Sequence, residues 1–421
     1  MRLGALATAF VLQASSAAAE PPACTGLGVA LRATKILTAA EQGPRVLDHG
    51  IVVIGPDGRI AAVGVESEVE LPQGVELIDL GELWLAPGMV DLHSHIAGTR
   101  DINDAVYQVN SGLRVSPAVV PRAGALRRAV AAGVTTILFI PGSATNVGGQ
   151  GVLLKTGFET YEEMLVRQPG SLKIAQGDNP KRWGYGMQRG LMNFHIRGIL
   201  RRGAAYARAW DDHENGEGPR PERDIALDVF RELAAKRTQI STHTQYYQLV
   251  MMSILLLAGE FGFDTYIDHG SFDSYLTAPL AIEHDVPAIL GPRMVMWPLA
   301  PRFDTDGSVR GSAQGFQAGG VTRIGFNTDA PVIPQEELPL QAAMGVRFGL
   351  TNENLEAVRG LTLIPAHVAG IADRVGSLEV GKDADILAVT GDPADPRTSV
   401  MRVWIEGREV YDAEREEVRA W

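Results

Sequence analysis

The chain of 421 residues lacks features that would assign it to several protein classes. Its single cysteine, Cys24, excludes an intramolecular disulfide, so stability must come from a packed interior. Basic residues are outnumbered, with 38 Lys and Arg against 50 Asp and Glu, and the formal net charge is −12. This acidity argues against nucleic acid or an anionic membrane as a partner. After the first 19 residues, no apolar run is long enough to span a bilayer.

A glycine-rich phosphate loop between a strand and a helix is also lacking. The fragment Gly148-Gly149-Gln150-Gly151 comes before a predicted strand, which is the wrong order for that motif. This absence weakens a doubly wound open sheet with a nucleotide site, which is the alternative to the fold inferred below.

Residues 1–19 have the composition of a secretory signal peptide. Arg2 supplies a positive start, residues 3–12 are small and apolar, and three alanines precede Glu20 as at a cleavage site. The segment is too short to span a membrane, and Cys24 lacks the context of a lipid-attachment site. We therefore expect an exported, soluble protein, periplasmic in location.

The middle of the chain alternates between strand and helix patterns. The predicted strands are residues 84–92, 134–140, 150–156, 172–176, 237–243, 264–269, 286–290 and 321–327. The clearest helical patterns are Pro121 to Ala132, Ile225 to Lys236, Tyr247 to Phe261 and Glu336 to Phe348. Eight strands alternating with helices predict an α/β fold, a (β/α)8 TIM barrel.

Both ends of the chain are rich in strand patterns. Val46 to Ile54 and Arg59 to Val65 flank a Gly-Pro-Asp-Gly turn and predict a hairpin. Strand patterns return at residues 384–389 and 400–405. We therefore expect a small β-sandwich domain built from residues 20–83 and 376–421, with the barrel between them at residues 84–375.

Two histidines end the first barrel strand, in Asp91-Leu92-His93-Ser94-His95. Side chains two residues apart in a strand point to the same face, so His93 and His95 project side by side. Two parallel imidazoles at a strand end supply half of a metal site.

Three more polar groups fall at the carboxyl ends of predicted strands. His243 ends one strand, His269 ends the next, and Asp329 follows the last. The carboxyl ends of barrel strands converge on one face, so these groups should meet the histidine pair. Imidazoles with a carboxylate suit a divalent metal such as Zn²⁺, which activates water, and Asp329 is placed to accept and return its proton.

The chain resembles the amidohydrolase superfamily in these motifs and in Gly376-Ser377-Leu378-Glu379-Val380-Gly381-Lys382-Asp383-Ala384-Asp385. Residues 146–150 and 173–182 are similar to the imidazolonepropionase-like branch. The resemblance covers nearly all of the chain after residue 19. It implies a metal-dependent hydrolase in which Asp329 is both metal ligand and proton shuttle, with a β-sandwich that opens before the barrel and closes after it.

The number of metal ions is left open by the sequence. Two-metal members of the family use a carboxylated lysine on the fourth strand as a bridge, which makes Lys173 the first candidate. Lys155 on the third strand is the competing lysine, and Asp178 is an alternative carboxylate bridge. A single-metal site with both lysines structural is the remaining possibility.

Candidate substrate contacts are Tyr246, just after His243, and Arg293, in the loop after the seventh strand. Residues 177–224 form an insertion with several arginines, which we interpret as a solvated helix or as a lid that binds substrate anions.

Three functions compete. The first is an exported metallohydrolase that cleaves a C–N bond in a cyclic amide, an N-acyl amino acid or a dipeptide. The second is deamination of a small heterocycle, and the third is a non-catalytic protein that binds a metal or ligand. The expected partner is a small molecule, and a homo-oligomer is compatible with the fold.

Overall fold

A computed structural model of the protein describes residues 28–183, 187–292, 295–296 and 310–416. The predicted signal peptide and Arg293 lie outside these ranges, so both stay predictions. None of the helices in the described ranges has the length and apolar character needed to cross a membrane.

Eighteen strands are found in the described residues. In chain order they are β1 (Val29–Leu37), β2 (Val46–Ile54), β3 (Ile60–Val65), β4 (Glu76–Asp79), β5 (Trp84–Pro87), β6 (Met89–Ser94), β7 (Val134–Phe139), β8 (Val147–Lys155), β9 (Leu165–Ala175), β10 (Ile240–Thr244), β11 (Thr265–His269), β12 (Ala288–Leu290), β13 (Val295–Met296), β14 (Arg310–Gly311), β15 (Ile324–Phe326), β16 (Ile386–Val389), β17 (Val400–Ile405) and β18 (Arg408–Asp412).

Eleven α-helices accompany these strands in the described ranges. They are α1 (Gly124–Ala131), α2 (Tyr161–Met164), α3 (Asn179–Trp183), α4 (Arg189–Glu214), α5 (Asp228–Ala234), α6 (Tyr247–Ser253), α7 (Ala278–Glu283), α8 (Ser312–Ala318), α9 (Leu338–Arg347), α10 (Glu356–Leu361) and α11 (Leu363–Val368). Helix α6 continues as a π-helix through Ile254–Glu260. The four clearest helical patterns of the sequence are confirmed in α1, α5, α6 and α9.

The central sheet is a nearly closed barrel of eight strands. Its order is β6-β7-β8-β9-β10-β11-β12-β15. A bridge between Ser94 and Ala330 joins the two edge strands at their carboxyl ends. The expected α/β barrel is therefore confirmed in its strand number and in the convergence of the carboxyl ends of its parallel strands.

The direction of the third barrel strand differs from the expectation. Strand β8 runs antiparallel to both β7 and β9, whereas the alternating pattern predicted parallel strands throughout. The connections on either side of β8 are too short to hold a full crossover helix, with only the four-residue α2 after it. The barrel thus contains one antiparallel hairpin segment, and Lys155 lies at the end opposite to the histidines.

The predicted strand at 84–92 is divided at Gly88. Strand β5 before it pairs with β1 and β16 in a second sheet, and β6 after it pairs with β7 in the barrel. A Cβ atom on Gly88 would lie 2.2 Å from Oγ1 of Thr135, so only glycine fits where the chain passes between the sheets.

The second sheet has eight strands in the order β18-β17-β16-β5-β1-β2-β3, with β4 paired to β1. The predicted hairpin is confirmed by the antiparallel pairing of β2 with β3. Strands from both ends of the chain lie in this sheet because β16 pairs with β5. Its status as a separate sandwich domain with the expected boundaries stays a prediction.

The barrel strands are buried on both faces. Val90, Leu138, Leu153 and Ile289 are fully buried in one apolar cluster that also contains Tyr266. Full burial of a side chain of this size contributes about 1.5–3 kcal/mol each, so this interior holds the strand ends in fixed positions.

Candidate metal centre

The first two candidate ligands lie at the end of β6. His93 is fully buried within the strand, and His95 follows just after it with its side chain 10% exposed. Their ring centroids are 5.0 Å apart. The strand alternation therefore brings the two imidazoles together, as expected.

His243 and His269 lie on the neighbouring strands β10 and β11. These strands are parallel, and His269 is in register with Thr244, one residue after His243. Nδ1 of His243 lies 2.8 Å from Nε2 of His269. Both side chains are buried, so the two rings face each other inside the barrel mouth.

Asp329 completes the cluster from the loop after β15. Its Oδ1 lies 3.3 Å from Nε2 of His93 and 3.3 Å from Nε2 of His95. One ligand atom from each of His93, His243, His269 and Asp329 lies within 4.8 Å of the others. All five principal candidates of the sequence are therefore brought to one place.

Two of these residues adopt a backbone conformation that is rare for residues with a side chain. The φ angle is 77° at His269 and 50° at Asp329. Such left-handed conformations cost energy and persist where surrounding contacts hold them. Here Ala330 donates to Oγ1 of Thr328, and Gly291 donates to the carbonyl of His269. In this left-handed backbone conformation both side chains point towards the cluster.

Contacts on the far side of the rings fix their orientation. Nδ1 of His93 lies 2.7 Å from Oδ2 of Asp268, and Nδ1 of His95 lies 2.8 Å from the carbonyl of Ile140. Nδ1 of His269 lies 2.9 Å from the carbonyl of Gly291. A carboxylate or carbonyl at Nδ1 accepts its proton, which leaves Nε2 free to bind a metal.

Burial and neighbouring charges strongly shift the pKa values of the residues in the cluster. Burial lowers the pKa of His93, but the Asp268 and Asp329 carboxylates together outweigh it and raise this pKa to about 9. Burial, helped by the charge of His93, lowers the pKa of His269 to about 4. Burial disfavours the Asp329 carboxylate, yet His93 and His95 hold its pKa well below the usual range.

The donor set fits a divalent cation. Nε2 of His243 is buried and has no hydrogen-bond partner among the described residues. Such an orphaned acceptor nitrogen is costly unless a ligand satisfies it. Neutral imidazoles with one carboxylate are the ligands of hydrolytic zinc sites, and a cation there takes the place of the proton held by His93.

Lys173 lies beside this cluster on β9. Its Nζ is 3.2 Å from Nε2 of His93 and 3.9 Å from Oδ2 of Asp268. The side chain is fully buried, and burial lowers the pKa of Lys173, which favours the neutral amine.

Lys155 and Asp178, the other two candidates for the bridging ligand, form ion pairs with residues outside the cluster. Nζ of Lys155 lies 2.7 Å from Asp385 and 3.2 Å from Asp383, at the other end of the barrel. Asp178 is held by Lys181 at 2.9 Å and by Arg189 at 2.8 Å. The contacts therefore favour Lys173 among the three.

Asp91 connects the first barrel strand to the loop after the last barrel strand. Its Oδ1 accepts a hydrogen bond from the backbone of His93 at 2.9 Å. Its Oδ2 accepts from Thr328, through the hydroxyl at 2.6 Å, and from Nε2 of Gln335 at 2.5 Å. Asp91 thus ties β6 to the loop that carries Asp329.

Of the two candidate substrate contacts, Tyr246 lies in the described residues, where it contacts Asp178 and Arg189. The Tyr246 hydroxyl donates to Oδ2 of Asp178 at 3.2 Å and accepts from Arg189 at the start of α4. Most of the insertion is helix α4, whose Arg197 and Arg202 pair with Glu260 and Asp224. Arg189, at the start of α4, pairs with Asp178 and also donates to the carbonyl of Gln176.

Sequence reasoning missed Asp268 and Ser143. Asp268 precedes His269 in β11, and strand alternation turns it towards His93. Ser143 places its hydroxyl 2.9 Å from Nδ1 of His243. The Asp-His pair at a strand end was a usable signal for Asp268, whereas the loop position of Ser143 gave none.

Comparison with known proteins bears on this geometry. A model of the Amidohydrolase family matches residues 317–410. The chain is 25% identical over 385 residues to the amidohydrolase tasK of Hapsidospora irregularis, covering 82% of this chain and 38% of that protein. It is also 25% identical over 394 residues to an imidazolonepropionase of Sphingopyxis alaskensis, covering 86% of this chain and 91% of that protein.

A solved structure is similar over nearly the whole fold. The crystal structure of an amidohydrolase from Thermotoga maritima has a TM-score of 0.79 and 29% identity, covering 91% of this chain and all of that one. These matches confirm the resemblance to the amidohydrolase superfamily and support a hydrolase of that superfamily.

Proposed function

We propose that this chain is a metal-dependent amidohydrolase that uses an activated water to hydrolyse a C–N bond. The substrate classes proposed are a cyclic amide, an N-acyl amino acid or a dipeptide. The observation that carries the proposal is the convergence of Asp329 with the imidazoles of His93, His95, His243 and His269.

In such a site, different residues would bind the metal, transfer the proton and orient the histidine rings. These ligands would hold a divalent ion, which would lower the pKa of a bound water to near neutrality. Asp329 would stay a carboxylate at neutral pH, because a positive charge beside it, from the His93 imidazolium or from a bound ion, favours the charged form. It accepts the proton of the attacking water and returns it to the leaving nitrogen. Asp268 and the carbonyl of Ile140 keep the histidine rings oriented.

We propose Zn²⁺ as the metal and Lys173 as the bridge of a second site. Zinc suits borderline imidazole and carboxylate ligands with an open position. Burial lowers the pKa of Lys173 and so favours the neutral amine, which would add CO₂ and lose a proton to give a carbamate able to hold a second ion. Its position 3.2 Å from Nε2 of His93 supports this role.

The test is Asp329→Asn. The amide keeps an oxygen ligand but cannot act as a base, so we expect metal content to be kept and turnover to fall by about 10²–10⁴-fold. Metal content is measured by elemental analysis, and hydrolysis is followed on a panel of cyclic amides, N-acyl amino acids and dipeptides. Ammonia release is recorded in parallel to detect deamination.

The matched control is Asp48→Asn, a carboxylate on the second sheet that is 74% exposed. This variant should retain the activity of the unmodified protein. Wild-type turnover by the Asp329→Asn variant would contradict the assigned role. Stoichiometric ammonia release from heterocycles, without amide cleavage, would favour the deaminase instead.

We also propose that residues 1–19 direct export to the periplasm. Their composition, described above, supports this. Amino-terminal sequencing of the protein recovered from a periplasmic extract should begin at Glu20, and recovery of full-length protein from the cytoplasm alone would contradict it.

A further inference from the structure

A cavity of about 270 Å³ lies at the barrel end opposite to the histidines. Gln239, Asp264, Pro287 and Arg323 line it, and each immediately precedes one of the parallel strands β10, β11, β12 and β15. The carboxyl ends of β10, β11 and β15 lead to the candidate metal ligands. The cavity is therefore separate from the candidate metal centre.

Arg167 contributes a guanidinium that has no ion-pair partner among the described residues. Its Nη2 donates to the carbonyl of Gly170 at 3.1 Å and to Oε1 of Gln239 at 2.9 Å. Its Nε is buried and has no acceptor in the same part of the chain. The charge of Glu232 favours the guanidinium cation, yet burial still lowers the pKa of Arg167. A half-buried guanidinium that keeps one buried donor unused is costly unless an anion compensates it.

Gln239 supplies a second unused donor beside it. Its side chain is 4% exposed, and its Nε2 is buried without a partner in the described ranges. Because Oε1 accepts from Arg167, the orientation of the amide is fixed and Nε2 remains the free donor. Two adjacent groups that can only donate require a ligand with acceptor atoms.

The other charges of the cavity are already neutralised in pairs. Lys236 pairs with Asp264, Arg323 with Asp285, and Arg237 with Glu232. These pairs surround Arg167 without satisfying it, and His284 adds an imidazole to the lining. The charge left over is positive, so the ligand that fits is an anion.

We propose that this cavity binds a small oxyanion, a phosphate or a carboxylate group, through Arg167 and Gln239. The guanidinium and the amide donate to its oxygens, as in charge-assisted anion sites. The site is independent of the hydrolytic function proposed above.

The test measures the thermal stability of the purified protein with inorganic phosphate and, separately, with malonate. Binding to the folded state should raise the Tm by about 2 °C at about 10 mM ligand. The shift should vanish in Arg167→Gln. It should persist in the control Arg122→Gln, since Arg122 is 76% exposed and pairs with Glu159. A response to phosphate alone assigns a phosphate-bearing ligand, and a response to malonate alone assigns a carboxylate.

A second variant keeps the test decisive if Arg167→Gln does not fold. Gln239→Glu places a carboxylate 2.9 Å from Arg167 with almost no change in shape. This variant should be more stable without ligand and should lose the anion response, because the counterion is then built in. The proposal is overturned if neither anion shifts the Tm of the unmodified protein, or if the shift persists in both cavity variants.

Discussion

At the scale of single residues, Asp268 is the group on which the orientation of His93 depends. Its Oδ2 lies 2.7 Å from Nδ1 of His93, and both side chains are fully buried. We expect Asp268→Asn to weaken metal affinity by about 10–100-fold, because the amide no longer holds the proton on Nδ1. Competition with a chelator measures this, and Asp264→Asn, just before the same strand and half-exposed, is the control. Equal affinity in both variants would refute the role.

Gly177 controls the position of His243. A Cβ atom there would lie 2.8 Å from Cδ2 and 3.0 Å from Nε2 of His243. We expect Gly177→Ala to displace the ring and lower kcat/KM by about 10–100-fold, since small displacements in a site are costly. Gly198→Ala on α4 is the matched control, because a Cβ atom at Gly198 would have no neighbour within 4 Å among the described residues. Steady-state kinetics that do not distinguish the two variants would contradict this.

The five principal candidates could be predicted because each stands at a strand end, and strand ends converge whatever the loops do. Apart from Asp268, the partners that orient them could not be predicted. Ser143 reaches His243 from a loop, and Asp91 reaches Thr328 across 237 residues of sequence. Such contacts depend on how loops close over the barrel, which single-sequence patterns do not encode.

At the scale of elements, the direction of β8 determines at which end of the barrel Lys155 lies. A period of alternating apolar residues indicates a strand but not its direction. In the antiparallel strand, Lys155 is carried away from the histidines to the buried carboxylates of Asp383 and Asp385. The residue therefore joins the barrel to the segment that leads into β16.

We expect Lys155→Met to lower the free energy of unfolding by about 3–5 kcal/mol, because it leaves a buried carboxylate unpaired. Burial already raises the pKa of Asp385. Urea denaturation measures the loss. The control Lys236→Met removes an exposed pair with Asp264 and should cost about 1 kcal/mol or less. A cost for Lys155→Met no larger than that of the control would contradict the assigned role.

At the scale of the whole molecule, the barrel, its helices and the strands from both chain ends could be read from periodicity. The passage between the sheets at Gly88 was missed, although Pro87-Gly88 is a break signal inside the strand predicted at residues 84–92. Gly88 fits there because Thr135 leaves no room for a side chain. Strands that come before and after the barrel in the chain therefore share the second sheet. The polar residues at the carboxyl ends of the parallel barrel strands lie together at one end of the barrel.

Metal-dependent hydrolysis is tested most sharply by following metal content and turnover in the same preparation. Elemental analysis should find at least one divalent ion per chain, and the protein should hydrolyse a member of the amide and dipeptide panel. Dialysis against a chelator should abolish that activity, and added Zn²⁺ should restore it. A fully metal-loaded protein that hydrolyses nothing in the panel, or one whose hydrolysis survives complete metal removal, would contradict the proposed function.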